Sequence, residues 1–211
     1  MRFPSLDFNL LWPFGCVNPY NKPDPPHLPW GAFPYGDRII LACVEKGMKA
    51  DDILEYYLTG WPQYRPNLKR LSELEQTRLE TRDSHCDIKM APWVMEHFRS
   101  ERLHWTVNHP TLRALRELMR RLLHAFISVE PALEEADIEE TLRVYFPAPR
   151  GPLGLAVIPI HPNVAEALEL KWYDRDGLHP LFHKTYSYEQ YFRELIDYCI
   201  SQRAAAMVAT A

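Results

Sequence analysis

Leu103-His-Trp-Thr-Val-Asn-His109-Pro-Thr-Leu-Arg-Ala-Leu-Arg-Glu-Leu-Met119 is the stretch on which the fold turns. Leu103–Val107 reads as a short strand that runs straight into a long amphipathic helix. Leu112, Leu115, Leu118, Met119, Leu122, Leu123 and Phe126 recur at the helical period, and Pro110 suits a first helical position. The polar pair Asn108-His109 stands at the junction. In α/β folds, ligands bind in the mouth beyond the carboxyl ends of the strands, and the amides of a helix N-terminus favour an anion there. No other stretch places a titratable side chain so clearly.

Working outward, Asp37 is a good N-cap for a helix Arg38–Lys46 and Gly47 a good stop. A second helix covers Asp51–Leu58 and is ended by Thr59-Gly60-Trp61-Pro62. Leu68, Leu71, Leu74 and Leu79 form a stripe on a polar helix over residues 66–83. Cys86–Phe98 reads as a helix with Pro92 tolerated in its first turns. Beyond Phe126 come an acidic helix over 129–143, a Pro/Gly loop Pro147–Gly154, an apolar segment Leu155–Ile160, a helix opening at His161-Pro162, and a closing helix Tyr188–Ile200.

The fold class is therefore α/β and predominantly helical, with a small, mostly parallel sheet flanked by helices. One or two visible strands make no stable sheet alone, so part of the domain is expected to be missing or paired elsewhere. Residues 1–36 form an extended segment rich in proline and aromatic residues, packed on the body. Its prolines forbid helix or inner strand, while rings such as Phe8, Trp12, Phe14 and Phe33 are costly to leave in water. Residues 37–203 form one α/β domain, and 204–211 a frayed tail.

The chain has 211 residues and a formal net charge of −4. It is long enough for a sizeable core and too acidic for nucleic acid as a main partner. No run of ~18 apolar residues marks a membrane span, and Pro4, Asp7 and Pro13 interrupt any secretion signal. Cys16, Cys43, Cys86 and Cys199 are scattered, which fits a reduced, cytoplasmic protein. His85-Cys86 and the His179/His183 pair lack matching halves, so no metal site is expected.

The order of motifs resembles the WcbI family of polysaccharide biosynthesis proteins over residues 3–200. The matching pieces are Phe33-Pro-Tyr-Gly-Asp37 before a short helix, Trp105-Thr-Val-Asn-His-Pro110 entering a leucine-rich helix, Ile158-Pro-Ile-His-Pro162, and the tyrosine-rich helix Tyr188–Tyr198. The resemblance implies a mostly helical α/β protein that binds coenzyme A and transfers acetyl groups to sugar hydroxyls. That family opens with a strand and a Gly-Asn-Cys-Gln turn. Here Phe14-Gly-Cys-Val17 only echoes it, leaving open a truncated chain, a mis-called start or a non-catalytic relative.

Acyl transfer from a thioester to a hydroxyl needs a base with a pKa near working pH, a role histidine fills. His109 is the candidate base, with Asn108 or Thr106 bonding the thioester oxygen. The plainer alternative is that Asn108 or His109 caps the helix. Coenzyme A carries phosphates suited to a guanidinium fork, and Arg113 is best placed, whereas Arg116, Arg120 and Arg121 read as a solvated face. Tyr35-Gly36-Asp37 is a further cofactor-binding candidate beside its plainer reading as an N-cap. Lys89 reads as a surface lysine and His161 as packing. No cation lies near Cys16 in sequence, which argues for packing rather than nucleophilic chemistry, and no GxSxG elbow is present.

Together with these residues, the resemblance implies an acetyl-coenzyme A-dependent O-acetyltransferase acting on a capsule-type polysaccharide precursor. The alternative is a non-catalytic carbohydrate- or protein-binding relative that docks through the aromatic residues 3–35. A homo-oligomer stays open in either case.

Overall fold

Residues 1–24, 27, 29–127, 134–145 and 156–209 are described in a computed structural model. β1 (Gly15–Val17) pairs antiparallel with β2 (Tyr35–Asp37), setting Cys16 opposite Gly36. β2 passes directly into α1 (Arg38–Glu45) because Asp37 caps it: Oδ1 accepts from the backbone N–H groups of Ile39 at 2.8 Å and Ile40 at 3.3 Å. Gly47, at φ 73, ends that turn in the left-handed region that favours glycine. α2 (Ala50–Thr59), α3 (Trp61–Tyr64), α4 (Leu68–Ser84) and α5 (Ala91–His97) follow. The buried Asp83 starts α5, its Oδ2 accepting from the N–H groups of Met90 and Ala91 at 2.7 Å each. Residues 86–90 are therefore outside the helix expected over them.

The deciding stretch folds differently from its reading. β3 (His104–Thr106) turns back at Val107-Asn108 and pairs antiparallel with β4 (His109–Pro110), and only then does α6 (Leu112–Ile127) begin. Thr111 is its cap. The Thr111 hydroxyl accepts from the Ala114 N–H at 3.4 Å, while its own N–H donates to the Leu103 carbonyl at 2.8 Å. Capping by Asn108 or His109 is thereby excluded. Thr111 is 3% exposed. Thr111→Val keeps the shape but loses the acceptor, and should lower unfolding free energy by about 1 kcal/mol, read as a lower urea midpoint.

α7 (Glu135–Tyr145), α8 (Pro162–Ala167), β5 (His179–Leu181), β6 (Lys184–Tyr186) and α9 (Tyr188–Ala209) complete the chain. The start of the acidic helix and the loop at 147–154 lie outside the described residues. α9 continues through 204–209, where a frayed tail was expected. The mostly parallel sheet is likewise corrected: the described strands form three separate antiparallel pairs, β1–β2, β3–β4 and β5–β6. The two-residue turns after β3 and β5 bring each next strand back antiparallel, and the longer connection over residues 18–34 does the same for β1 and β2.

Two buried clusters hold the molecule. Phe8, Leu11 and Trp12 pack with Trp93, Phe98, Leu118 and Ile160 in the first. Phe33, Ile40, Ile53 and Tyr57 pack with Tyr191, Phe192, Leu195 and Cys199 in the second. The N-terminal segment is thus core rather than a layer laid upon it, because Phe8 and Leu11 are at most 1% exposed. The Phe8 N–H donates to the Val107 carbonyl at 2.8 Å and the Trp12 indole to the Ile158 carbonyl at 3.3 Å. A docking surface made of these rings is therefore lost, though Phe3 and Trp30 remain exposed. Among the described residues, no helix is long and apolar enough to cross a membrane.

Candidate active site

A cavity of about 460 Å³ opens at the seam between the two clusters, within the size range of small-molecule sites. Trp12, Leu11 and Ile158 of the first cluster face Tyr57, Tyr191, Phe192 and Leu195 of the second across it. β1 and β2 contribute Gly15, Cys16, Tyr35, Gly36 and Asp37, and the turn of the β3–β4 hairpin contributes Val107 and Asn108. Asp7, Asn9, Arg78 and His161 add to the polar part of the wall. The lining suits a long, largely apolar ligand with a few fixed polar groups.

Four of the candidate residues meet at the edge of this cavity, Tyr35 and Asn108 on its lining and Thr106 and His109 just behind them. The Tyr35 hydroxyl donates to Asn108 Oδ1 at 2.8 Å and lies 3.1 Å from His109 Nδ1. The Thr106 hydroxyl, fully buried, lies 3.1 Å from Asn108 Oδ1 and 2.6 Å from His109 Nδ1. Each hydroxyl has one proton. With both directed at Asn108 Oδ1, both oxygens are left as acceptors for a His109 Nδ1–H. That arrangement leaves His109 Nε2 with a bare lone pair; with the Thr106 proton turned to Nδ1, the shorter of its two contacts, Nε2 carries the proton instead. His109 and Asn108 are exposed, and Tyr35, whose phenol is raised by burial against the Thr106 hydrogen bond, stays protonated. An oriented imidazole with a free nitrogen is what a general base requires.

Deeper in the cavity, Asp37 Oδ2 accepts from the Tyr57 hydroxyl at 2.8 Å. Burial is the main cause that raises Asp37 to about 6, against its hydrogen bonds from Tyr57, Ile40 and Ile39. His161 is satisfied at both nitrogens. Nδ1 accepts from the Asn163 N–H at 3.2 Å, so Nε2 bears the proton and donates to Tyr64 Oη at 3.1 Å; Tyr64 in turn donates to the Tyr57 carbonyl. Its ring stacks on Trp61 at 4.6 Å. His161 is an N-cap and a packing ring, and has no lone pair to offer as a base.

The other candidates separate. Gly36 is glycine for packing: an added Cβ would stand 3.1 Å from Leu41 Cδ1 and 3.2 Å from Asn18 Cα. Arg113 does not line the cavity. Its Nε donates to Glu101 Oε2 at 2.7 Å and its guanidinium stands 5.0 Å from the Trp93 ring. Arg116 and Arg120 pair with Glu139 at 3.6 and 3.0 Å, tying α6 to α7, and Arg121 pairs with Glu117 at 2.8 Å. Lys89 donates to the carbonyls of Asp83 and Cys86. Sequence reasoning set Cys16 aside for want of a cation, but Arg38, brought beside it by the β1–β2 pairing, lowers its thiol. Desolvation first, and then Asp37, outweigh that and leave the thiol raised, which speaks against a thiolate nucleophile. The Phe14-Gly-Cys-Val17 turn was the signal for this wall of the cavity. Among the described residues, no group of three metal-ligating side chains could hold an ion.

A seam cavity with an oriented histidine at its edge marks a small-ligand site in a mostly helical domain with small β-hairpins. The model of the family described as polysaccharide biosynthesis enzyme WcbI matches residues 1–128, and the chain belongs to that family. A solved WcbI, described as a novel polysaccharide biosynthesis enzyme and as native protein without a disulfide between coenzyme A and one of its cysteines, shares the fold. The TM-score is 0.71 at 18% identity, over 96% of this chain and 63% of that one. No curated protein matches.

Proposed function

We propose that this chain takes the acyl-pantetheine end of acetyl-coenzyme A into the seam cavity and passes the acyl group to a hydroxyl of a capsule-type polysaccharide precursor. The observation that carries this reading is the network that holds the exposed His109 ring, its Nδ1 2.6 Å from the Thr106 hydroxyl and 3.1 Å from that of Tyr35, next to the cavity-lining Tyr35 and Asn108. His109 Nε2 takes the proton of the sugar hydroxyl as its oxygen bonds to the thioester carbon. The tetrahedral oxyanion accepts from the Asn108 amide, whose Oδ1 is already engaged by the two hydroxyls. The carbon–sulfur bond then breaks, and the proton on His109 passes to the departing coenzyme A sulfur. Thr106 thus acts through His109 and Asn108 rather than on the thioester. Arg38, exposed beside Cys16, supplies positive charge for the diphosphate, a role Arg113 could take only by leaving Glu101.

The solved relative's description links coenzyme A to a cysteine, and here Cys16 is the cysteine on the cavity wall. Coenzyme A should raise the melting temperature by binding the native state. Coenzyme A disulfide at mildly alkaline pH should exchange with Cys16, joining one coenzyme A to its sulfur and releasing the other as a thiol. Intact-mass analysis should find the adduct in the native chain and none in Cys16→Ser. No thermal shift, or equal labelling of the part-exposed Cys86, would overturn the placement.

A further inference from the structure

Among the described residues, three of the buried nitrogens left without a hydrogen-bond partner surround the segment 156–158: Arg102 Nε, Trp105 Nε1 and His179 Nδ1. The remaining orphans, His104 Nδ1 and the Tyr188 hydroxyl, belong to other parts of the fold. The Ile158 N–H donates to the Trp105 carbonyl at 3.1 Å and the Val157 N–H to the Pro180 carbonyl at 2.8 Å, so β3 and β5 flank this segment. The Arg102 guanidinium stands 5.1 Å from the Trp105 ring and 4.8 Å from the Trp172 ring. Its charge also reaches His179, where it adds to desolvation in keeping that ring neutral. None of these four residues lines the seam cavity.

Buried polar groups are hydrogen-bonded and buried charges are paired, so a cluster of orphans around a cation needs a partner. Arg102 is half-buried, and among the described residues no carboxylate lies within ion-pair distance of it. Asp174 is near enough to raise its pKa against desolvation, but Asp174 Oδ1 is engaged by the Asp176 N–H at 3.1 Å. Trp172 donates its indole N–H to the Phe98 carbonyl at 2.7 Å, which leaves Trp105 as the indole with a free donor. Two indole planes hold the guanidinium by cation–π attraction, and a fork fixed in advance matches two oxygens of one anion.

We propose that Arg102, the Trp105 indole N–H and His179 Nδ1 form a binding site for an oxyanion, the carboxylate of an acidic sugar or a phosphate group, separate from the seam cavity. His179 serves as the third donor in its Nδ1–H tautomer. The site stands whether or not the acyl-transfer reading does.

The test follows the Trp105 indole N–H signal in the ¹H–¹⁵N spectrum of the full chain, assigned by its loss in Trp105→Phe. Inorganic phosphate and glucuronate are titrated separately at constant ionic strength, with chloride as the control. A saturable shift of this signal with phosphate or glucuronate and none with chloride is expected, and the tighter of the two identifies the group. Arg102→Gln should weaken that binding by about tenfold or more, the loss of a charge-assisted pair, while leaving the coenzyme A thermal shift unchanged. If that variant does not fold, His179→Gln should weaken it to a smaller degree. The site is refuted by the absence of a saturable shift with either anion, by unchanged affinity in the folded variants, or by a shift that only coenzyme A produces.

Discussion

Replacing His109 by glutamine should lower the proposed acyl transfer by about two to four orders of magnitude, the span a positioned general base supplies, while the melting-temperature rise expected with coenzyme A should stay as in the native chain. The asymmetry follows from where the ring sits. His109 is exposed at the edge, and its polar contacts are to Tyr35 and Thr106 rather than to the apolar wall that would grip a pantetheine arm. Glutamine can donate to the Thr106 hydroxyl but carries no basic nitrogen. Tyr35→Phe removes one of the two donors to Asn108 Oδ1 and an acceptor near His109 Nδ1. It should cost about tenfold in kcat and alter the pH profile, because it loosens the base without deleting it. Full activity in His109→Gln would remove the histidine from the chemistry. An equal loss of coenzyme A binding would move it from base to ligand contact.

The parts of this site differ in how far the sequence displays them. Asp37 before an apolar helical run and Gly47 behind it are local signals, and α1 lies where they put it. The nearness of Thr106, Asn108 and His109 is equally local, whatever the backbone does between them. The hairpin was hidden because its turn, Val107-Asn108, has none of the glycine pairs that announce a tight reversal, and Pro110 before a leucine-rich run imitates a helix start. The β5–β6 turn is disguised in the same way: Phe182 takes φ 54, a conformation that sequence patterns assign to glycine or asparagine. The surroundings of Arg113 and Cys16 were hidden for a third reason, since their electrostatic partners are set by tertiary packing. Glu101 reaches Arg113 across the start of the hairpin, and Arg38 reaches Cys16 across the β1–β2 pair. Tyr35 could be read only as a neighbour of Asp37, and its bond to Asn108 spans the cavity's edge.

Acidification from pH 7 to 4 should unfold the chain, because three neutral histidines are built into its interior. His104, His161 and His179 are 1%, 7% and 4% exposed, and burial is the first cause that lowers each to about 4. In the unfolded chain each titrates near 6.5. Between those values the unfolded chain binds more protons than the native one, so stability falls as pH falls. Each histidine contributes a loss on the order of 3 kcal/mol once pH is below 4. Asp37 acts in the opposite sense: held at about 6 in the fold, it binds a proton that an ordinary carboxyl would not bind until about 4, so it adds stability as pH falls through that window. One carboxyl offsets about one histidine, and the uncompensated pair is comparable to the whole stability of a typical domain. Urea midpoints followed by circular dichroism should therefore fall steeply between pH 6.5 and 4. His104→Gln should flatten that slope by about one proton while Asp37→Asn steepens it. A midpoint that stayed level across this range would mean that the three rings are not held neutral inside the native fold, and the tautomer that makes His161 a cap rather than a base would fall with them.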